Sequence, residues 1–140
     1  LNSKGSFLFP IHPRTVNRLK EFGFYEKIKN SNKIKLIPSV GYFDMLYLMK
    51  KCSFIFTDSG GIQEEATSPL ISKKVLIARK STDRQEAVDA GFAELIGTEK
   101  GKITLLINKT LENPKLLSHK TPFGEGNASQ KILKILSKTF

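Results

Sequence analysis

The chain has 140 residues, of which 39% are hydrophobic, the size and apolar content of one domain with a real core, and this excludes a disordered polypeptide. Its net charge of +10 comes mostly from lysines spread along the chain, so a lysine-rich solvated surface is expected and a nucleic-acid partner is not. No apolar run is long enough to cross a bilayer, and the single Cys52 rules out a disulfide framework, so no membrane partner and a cytoplasmic setting are expected.

In chain order, Phe7 to His12 reads as a short strand closed by Pro13, and Thr15 to Phe22 as a helix stopped by Gly23. Ile34 to Ile37 is the next strand, ended by Pro38. From Tyr42 to Cys52, apolar residues at Phe43, Leu46, Tyr47, Leu48 and Met49 predict a helix largely buried against a sheet. Phe54 to Thr57 reads as a buried strand, and a helix is expected from Ile62. Val75 to Ala78 is a further strand, and Ser81 to Arg84 a polar turn before a short helix from Gln85 to Asp89. Ala93 to Ile96 is the last expected strand. Helices follow at Lys102 to Leu111 and Gln130 to Lys138, separated by a glycine loop at Phe123 to Asn127.

Strands alternating with helices at this spacing imply βαβ units, hence an α/β fold of the Rossmann-like kind with a mostly parallel sheet and flanking helices. Ligands of such sheets sit outside the carboxyl ends of the strands. That rule gathers His12, Pro38 to Gly41, Asp58 to Gly61 and Arg79 to Arg84 along one edge.

The stretch with most chemical content is Asp58-Ser59-Gly60-Gly61-Ile62-Gln63-Glu64-Glu65-Ala66. A strand, a tight turn and a helix meet there. Two glycines permit positive φ and close approach of N–H groups to a ligand, and a helix starting at that point favours an anion such as phosphate. Glu64 and Glu65 stand where carboxylates accept bonds from sugar hydroxyls or complement the helix end. An ordinary connection capped by Ser59 fits the same spacing, so both readings stand on the residues alone.

Arg84 lies in a polar loop after a strand, where a guanidinium suits a phosphate or sugar oxygen, or else a surface pair with Glu86 or Asp83. His12 suits an anion contact or proton transfer, and equally a cap on the neighbouring loop. His119 reads as surface. Met45 and the Val40 backbone are candidate contacts to a flat base, while spacing assigns Phe43 to the core. No His/Cys cluster has metal-ligand spacing, so no metal and no other cofactor is expected. Cys52 reads as a packed thiol, not a nucleophile.

Asp58 to Ala66, together with Phe9-Pro10-Ile11-His12-Pro13, Thr82-Asp83-Arg84-Gln85-Glu86-Ala87 and Pro122-Phe123-Gly124-Glu125-Gly126, resembles the C-terminal part of the non-hydrolysing UDP-N-acetylglucosamine 2-epimerases, in an archaeal style. The resemblance covers nearly the whole chain, with several motifs in the family's order. It implies half of a two-domain GT-B-type architecture with the active site between the halves. The implied activity is interconversion of UDP-GlcNAc and UDP-ManNAc for cell-envelope polysaccharides, by elimination of UDP to 2-acetamidoglucal and re-addition with inverted C2. A cytoplasmic homodimer is the implied assembly of the full enzyme.

By the same resemblance, Ser59, Gly60 and Gly61 hold the diphosphate through main-chain N–H groups, Glu65 binds the ribose hydroxyls, and Arg84 faces the nucleotide-sugar. Asp58 and His12 are secondary candidates. This sequence has Val40 where some members place a uracil-binding glutamine, Met45 in place of a phenylalanine, and Gln85 in place of a proline. Where the family commonly has Gly-Lys-Pro-Val before the next strand, this chain has Ile71-Ser72-Lys73-Lys74-Val75, with one extra residue upstream at Pro69-Leu70, so that helix end is expected to be irregular. The family's catalytic carboxylates and its His-Arg-Arg-Glu-like motif match nothing in these residues. Residues 1–140 are therefore expected to be a partial C-terminal UDP-binding domain, lacking the N-terminal domain and the first βα unit and holding no catalytic residue. A UDP-sugar glycosyltransferase domain and a non-catalytic nucleotide-binding fragment are the competing classes.

Overall fold

The computed structural model describes residues 5–114 and 120–139, so His119 lies outside the described residues. Strand β1 (Phe7–Ile11) leads into α1 (Pro13–Glu21), where Pro13 occupies the first helical turn and its missing N–H costs nothing. Gly23 stops α1 at φ +70°, a left-handed position that glycine takes without strain, and the Phe24 N–H bonds back to the Leu19 carbonyl at 2.8 Å. A short α2 (Tyr25–Lys29), which the sequence pattern does not announce, then precedes β2 (Ile34–Pro38).

The crossover α3 (Tyr42–Lys51) connects to β3 (Ile55–Thr57), and α4 (Gly60–Glu65) to β4 (Val75–Ile77). Then come α5 (Gln85–Asp89), β5 (Ala93–Leu95), α6 (Lys100–Glu112) and α7 (Ala128–Thr139). Every strand pairing among the described residues is parallel, as the alternation of elements requires. The strands divide into two sheets, β1-β2 and β3-β4-β5.

Strand β4 is the centre. Val75, Leu76 and Ile77 are wholly buried, because helices cover both faces of a parallel sheet and the strand must be apolar on both. Val75 and Ile77 point to one face, where Met49 of α3, Ala66 at the end of α4 and Ala87 of α5 pack. Leu76, one residue out of phase, points to the other, against Ile96 and α6 through Leu106 and Ile107. Phe7 of β1 and Phe54 pack against this second cluster, and their rings meet edge to face at 6.2 Å. Thus α6 spans both sheets.

Helix α3 departs from expectation. Its apolar content predicts a largely buried helix with Phe43 in the core, but Phe43 is 83% exposed and Tyr47 also faces out. The sheet is met by Met45, Leu46, Met49 and Cys52, which share one face at helical spacing. Phe43 and Tyr47, four apart, lie on another face.

Candidate functional site

The parallel register sets the framework. Thr57 pairs with Ile77, so the segments beginning at Asp58 and Ala78 leave the sheet side by side. The first forms the corner Ser59-Gly60-Gly61 and enters α4; the second is the loop from Arg79 to Arg84.

Helix α4 starts at Gly60, two residues earlier than expected, and neither Gly60 nor Gly61 has positive φ. Their use here is the room left by absent side chains, not backbone freedom. Among the described residues, a Cβ on Gly61 would meet nothing within 4 Å, and one on Gly60 would face the Arg84 guanidinium carbon at 4.0 Å. Ser59 makes no side-chain capping bond to α4; its own N–H donates to Thr57 Oγ1 at 3.1 Å. Ser59 is exposed, as is Asp58. The alternative of a helix capped by the Ser59 side chain is therefore not what forms, while Thr57 ties down the corner from the strand side.

Arg84 is held over this corner. Its Nε pairs with a Glu64 carboxylate oxygen, and Nη1 donates to the Asp83 carbonyl at 3.1 Å. The alternative of a surface pair with Glu86 or Asp83 is not the one formed; the ion-pair partner is Glu64. The Asp83 carboxylate lies 3.9 Å from Arg79, and the short run into α5 carries Arg84 back across the corner to Glu64. Both members of the Arg84–Glu64 pair are partly exposed, so the contact orients the guanidinium while solvent and an incoming anion still reach it.

Glu65 is half-buried beside this pair, and its carboxyl is held above the ordinary glutamate range, chiefly by burial and secondarily by the charge of Glu64. Two residues that the sequence does not single out complete the corner. Gln63 is fully buried, and its Oε1 accepts a 2.6 Å bond from the Thr82 hydroxyl. Thr82 Oγ1 in turn accepts from the Arg84 N–H at 3.1 Å. The only trace of this in the sequence is a polar pair, Gln63 and Thr67, at the i, i+4 spacing that otherwise marks a core face. The Thr67 hydroxyl reaches that of Thr121 at 3.1 Å, tying α4 to the loop that runs through Phe123-Gly124-Glu125-Gly126.

The remaining candidates are less involved. His12 caps α1, its Nδ1 accepting from the Arg14 N–H at 3.2 Å, which is the capping alternative for this residue. Met45 packs against the core cluster, and Val40, half-buried, precedes Gly41 at the start of α3. Among the described residues, no three His, Cys, Asp or Glu side chains form a metal-sized group. Cys52 is half-buried, donates from Sγ to the Met49 carbonyl at 3.1 Å, and has its thiol pKa pushed up by burial, with Lys73 opposing. No described helix is long and apolar enough to cross a membrane.

The family model for UDP-N-acetylglucosamine 2-epimerase matches residues 2–137. The chain is 39% identical over 132 residues to the UDP-N-acetylglucosamine 2-epimerase of Methanocaldococcus jannaschii, covering 94% of this chain and 35% of that protein. To the enzyme of the same name from Campylobacter jejuni it is 43% identical over 137 residues, covering 94% of this chain and 34% of the relative. It superimposes on the Methanocaldococcus jannaschii UDP-GlcNAc 2-epimerase in complex with UDP-GlcNAc and UDP with a TM-score of 0.81 at 40% identity, covering 95% of this chain and 36% of that one. The chain spans about a third of the length of the curated relatives it matches.

Proposed function

Because this chain belongs to the UDP-N-acetylglucosamine 2-epimerase family, we propose that it forms the nucleotide-binding part of an enzyme interconverting UDP-GlcNAc and UDP-ManNAc. The observation that carries this reading is the Arg84 guanidinium poised over the open Gly60-Gly61 corner and oriented there by Glu64. In the proposed reaction UDP leaves across C1 and C2 to give 2-acetamidoglucal and is added back with the opposite configuration at C2. Charge gathers on the departing diphosphate. Donors fixed before the reaction, from Arg84 and the main chain of Ser59, Gly60 and Gly61, lower the barrier because they need not reorganise. The same grip keeps UDP beside the glucal for the return step.

Glu65 is assigned to the ribose hydroxyls, for which an ionised carboxylate is the strong acceptor. Met45 and the Val40 backbone are the proposed neighbours of the base, with Asp58 and His12 at the rim of the site. No catalytic residue is assigned to this chain, and the groups that move the C2 proton belong to the other half of a GT-B-type enzyme. That enzyme is proposed to be a cytoplasmic homodimer.

Partial-domain status has its own support. Among the described residues β1 pairs with β2 alone and β3 with β4 alone, yet Phe7 and Phe54 bring these two strands' starts together on α6. One further parallel strand, from a preceding stretch of a longer polypeptide, is proposed to bridge β1 and β3 into a single sheet. Titration of the chain with UDP by calorimetry tests the binding role, and absence of heat at millimolar UDP defeats it. Epimerisation by an enzyme that includes this chain, measured by separating the two sugar nucleotides, tests the activity.

A further inference from the structure

Gln63 is buried completely, yet its Nε2 has no hydrogen-bond partner among the described residues. A buried donor left unpaired is a standing cost to the fold, which an apolar side chain of similar size would avoid. What the amide supplies is its other end. The Thr82 hydroxyl already accepts from the Arg84 N–H at 3.1 Å, so its proton is free to be given away, and Gln63 Oε1 takes it at 2.6 Å. A relay thus runs from Arg84 N–H through Thr82 Oγ1–H to Gln63 Oε1.

Arg84 needs such support. Its backbone, at φ −122° and ψ 52°, belongs to no regular element and serves as the cap of α5 without a side-chain bond. On the other side, Glu64 pairs with its guanidinium. Consecutive residues of α4 therefore hold Arg84 at two points, Glu64 at the tip and Gln63, through Thr82, at the main chain.

We infer that Gln63 and Thr82 are positioning residues: they fix the backbone of Arg84 so that its guanidinium stands over Gly60. For its ligand this rests on the nucleotide-binding reading above, but its geometry does not. Fixing the root of a long side chain restricts where its tip can go, so the relay governs how much ordering remains to be done when an anion binds.

The experiment combines amide hydrogen exchange with UDP titration on the 140-residue chain. Thr82→Val keeps the shape and removes the hydroxyl; exchange at the Arg84 N–H should accelerate, and UDP should bind less tightly, each by roughly tenfold, about one net hydrogen bond. Thr82→Ser should restore both. Gln63→Leu should raise or leave unchanged the melting temperature while still loosening Arg84 and weakening UDP, a combination that a purely structural glutamine would not give. Arg84 exchange equal to wild type in both Thr82→Val and Gln63→Leu overturns the inference. So does weakening that merely follows a loss of global stability and is not rescued by serine. Wild-type protein that fails to bind UDP defeats the nucleotide reading, and the exchange arm then still decides the relay.

Discussion

Gly60 lies beneath the guanidinium of Arg84, at a separation of 4.0 Å from the point where a methyl group would stand to the arginine's central carbon. Contact at that distance is ordinary packing, so an alanine would fit in the free protein. The space it would fill is the space proposed for a bound phosphate.

Gly61 gives the cleaner test. It has no positive φ, and among the described residues nothing lies within 4 Å of a Cβ placed there. Gly61→Ala should therefore stabilise the fold by about 0.4–1 kcal/mol, through a less flexible unfolded chain and better helix propensity. UDP affinity should fall at least tenfold, because the new methyl projects into the open corner. Thermal melting and calorimetric titration check the two halves. Stability and affinity rising together would mean that ligand does not approach this face.

Arg84→Lys keeps the charge but not the planar fork. Lysine presents a point charge that cannot both pair with Glu64 and meet a phosphate in two-donor geometry. The expected loss of UDP binding is about 1.5–3 kcal/mol, typical of a hydrogen bond to a charged group. Calorimetry at fixed ionic strength measures it. Affinity unchanged by Arg84→Lys would remove the guanidinium from the site.

Much of this arrangement is legible in the residues themselves. The strands can be read because β4 and its neighbours are short apolar runs bounded by glycine, proline and polar turns, and parallel pairing follows from their alternation with helices. The Ser59 to Gly61 corner and Arg84 stand out because the ligand rule for such sheets points to strand ends. What stays hidden is what depends on rotation and reach. The Tyr42–Lys51 helix offers more apolar residues than one face holds, so spacing cannot tell Phe43 from Met45. The Arg84 partner is Glu64 and not its neighbour Glu86, since the choice is made by how the loop folds back over α4. Nor does the spacing show that Gln63 is buried, because its partner Thr82 stands on a separate loop.

As the proposed ribose ligand, Glu65 should make UDP binding pH-dependent with a defined sign. Burial, then the charge of Glu64, raises its carboxyl pKa in the free protein. Ribose hydroxyls bond best to the ionised form, so affinity should drop as pH falls through that raised value, starting above the ordinary glutamate range. Folding responds oppositely. The contribution of protonated Glu65 to stability is full below the ordinary pKa and is lost as pH rises through the elevated one. Glu65→Gln should flatten both slopes, read by UDP titration and by urea unfolding between pH 4 and pH 7, taken as roughly the carboxylate window. Identical pH profiles for wild type and variant would assign the slopes to other groups.

Ser72 offers a test of backbone strain in the connection between α4 and β4. It follows Ile71 at the end of the α4 segment and takes φ +47°, the one non-glycine residue in the left-handed region among those described. The geometry is held by Ser72 N–H to the Ser68 carbonyl at 2.8 Å and by Lys73 N–H to the Ala66 carbonyl at 3.0 Å, so the chain turns here whatever residue stands at the position. Serine in that region carries strain of about 1–2 kcal/mol, whereas glycine carries none but frees the unfolded chain by about 0.4–1 kcal/mol. Ser72→Gly should then stabilise the protein by about 0.5–1 kcal/mol, a rise of about 3 °C in melting temperature for a domain this size. UDP affinity should stay the same, because residue 72 lies at the opposite end of the segment from the glycine corner. A melting temperature that falls instead would mean the serine side chain contributes a bond outweighing its backbone strain.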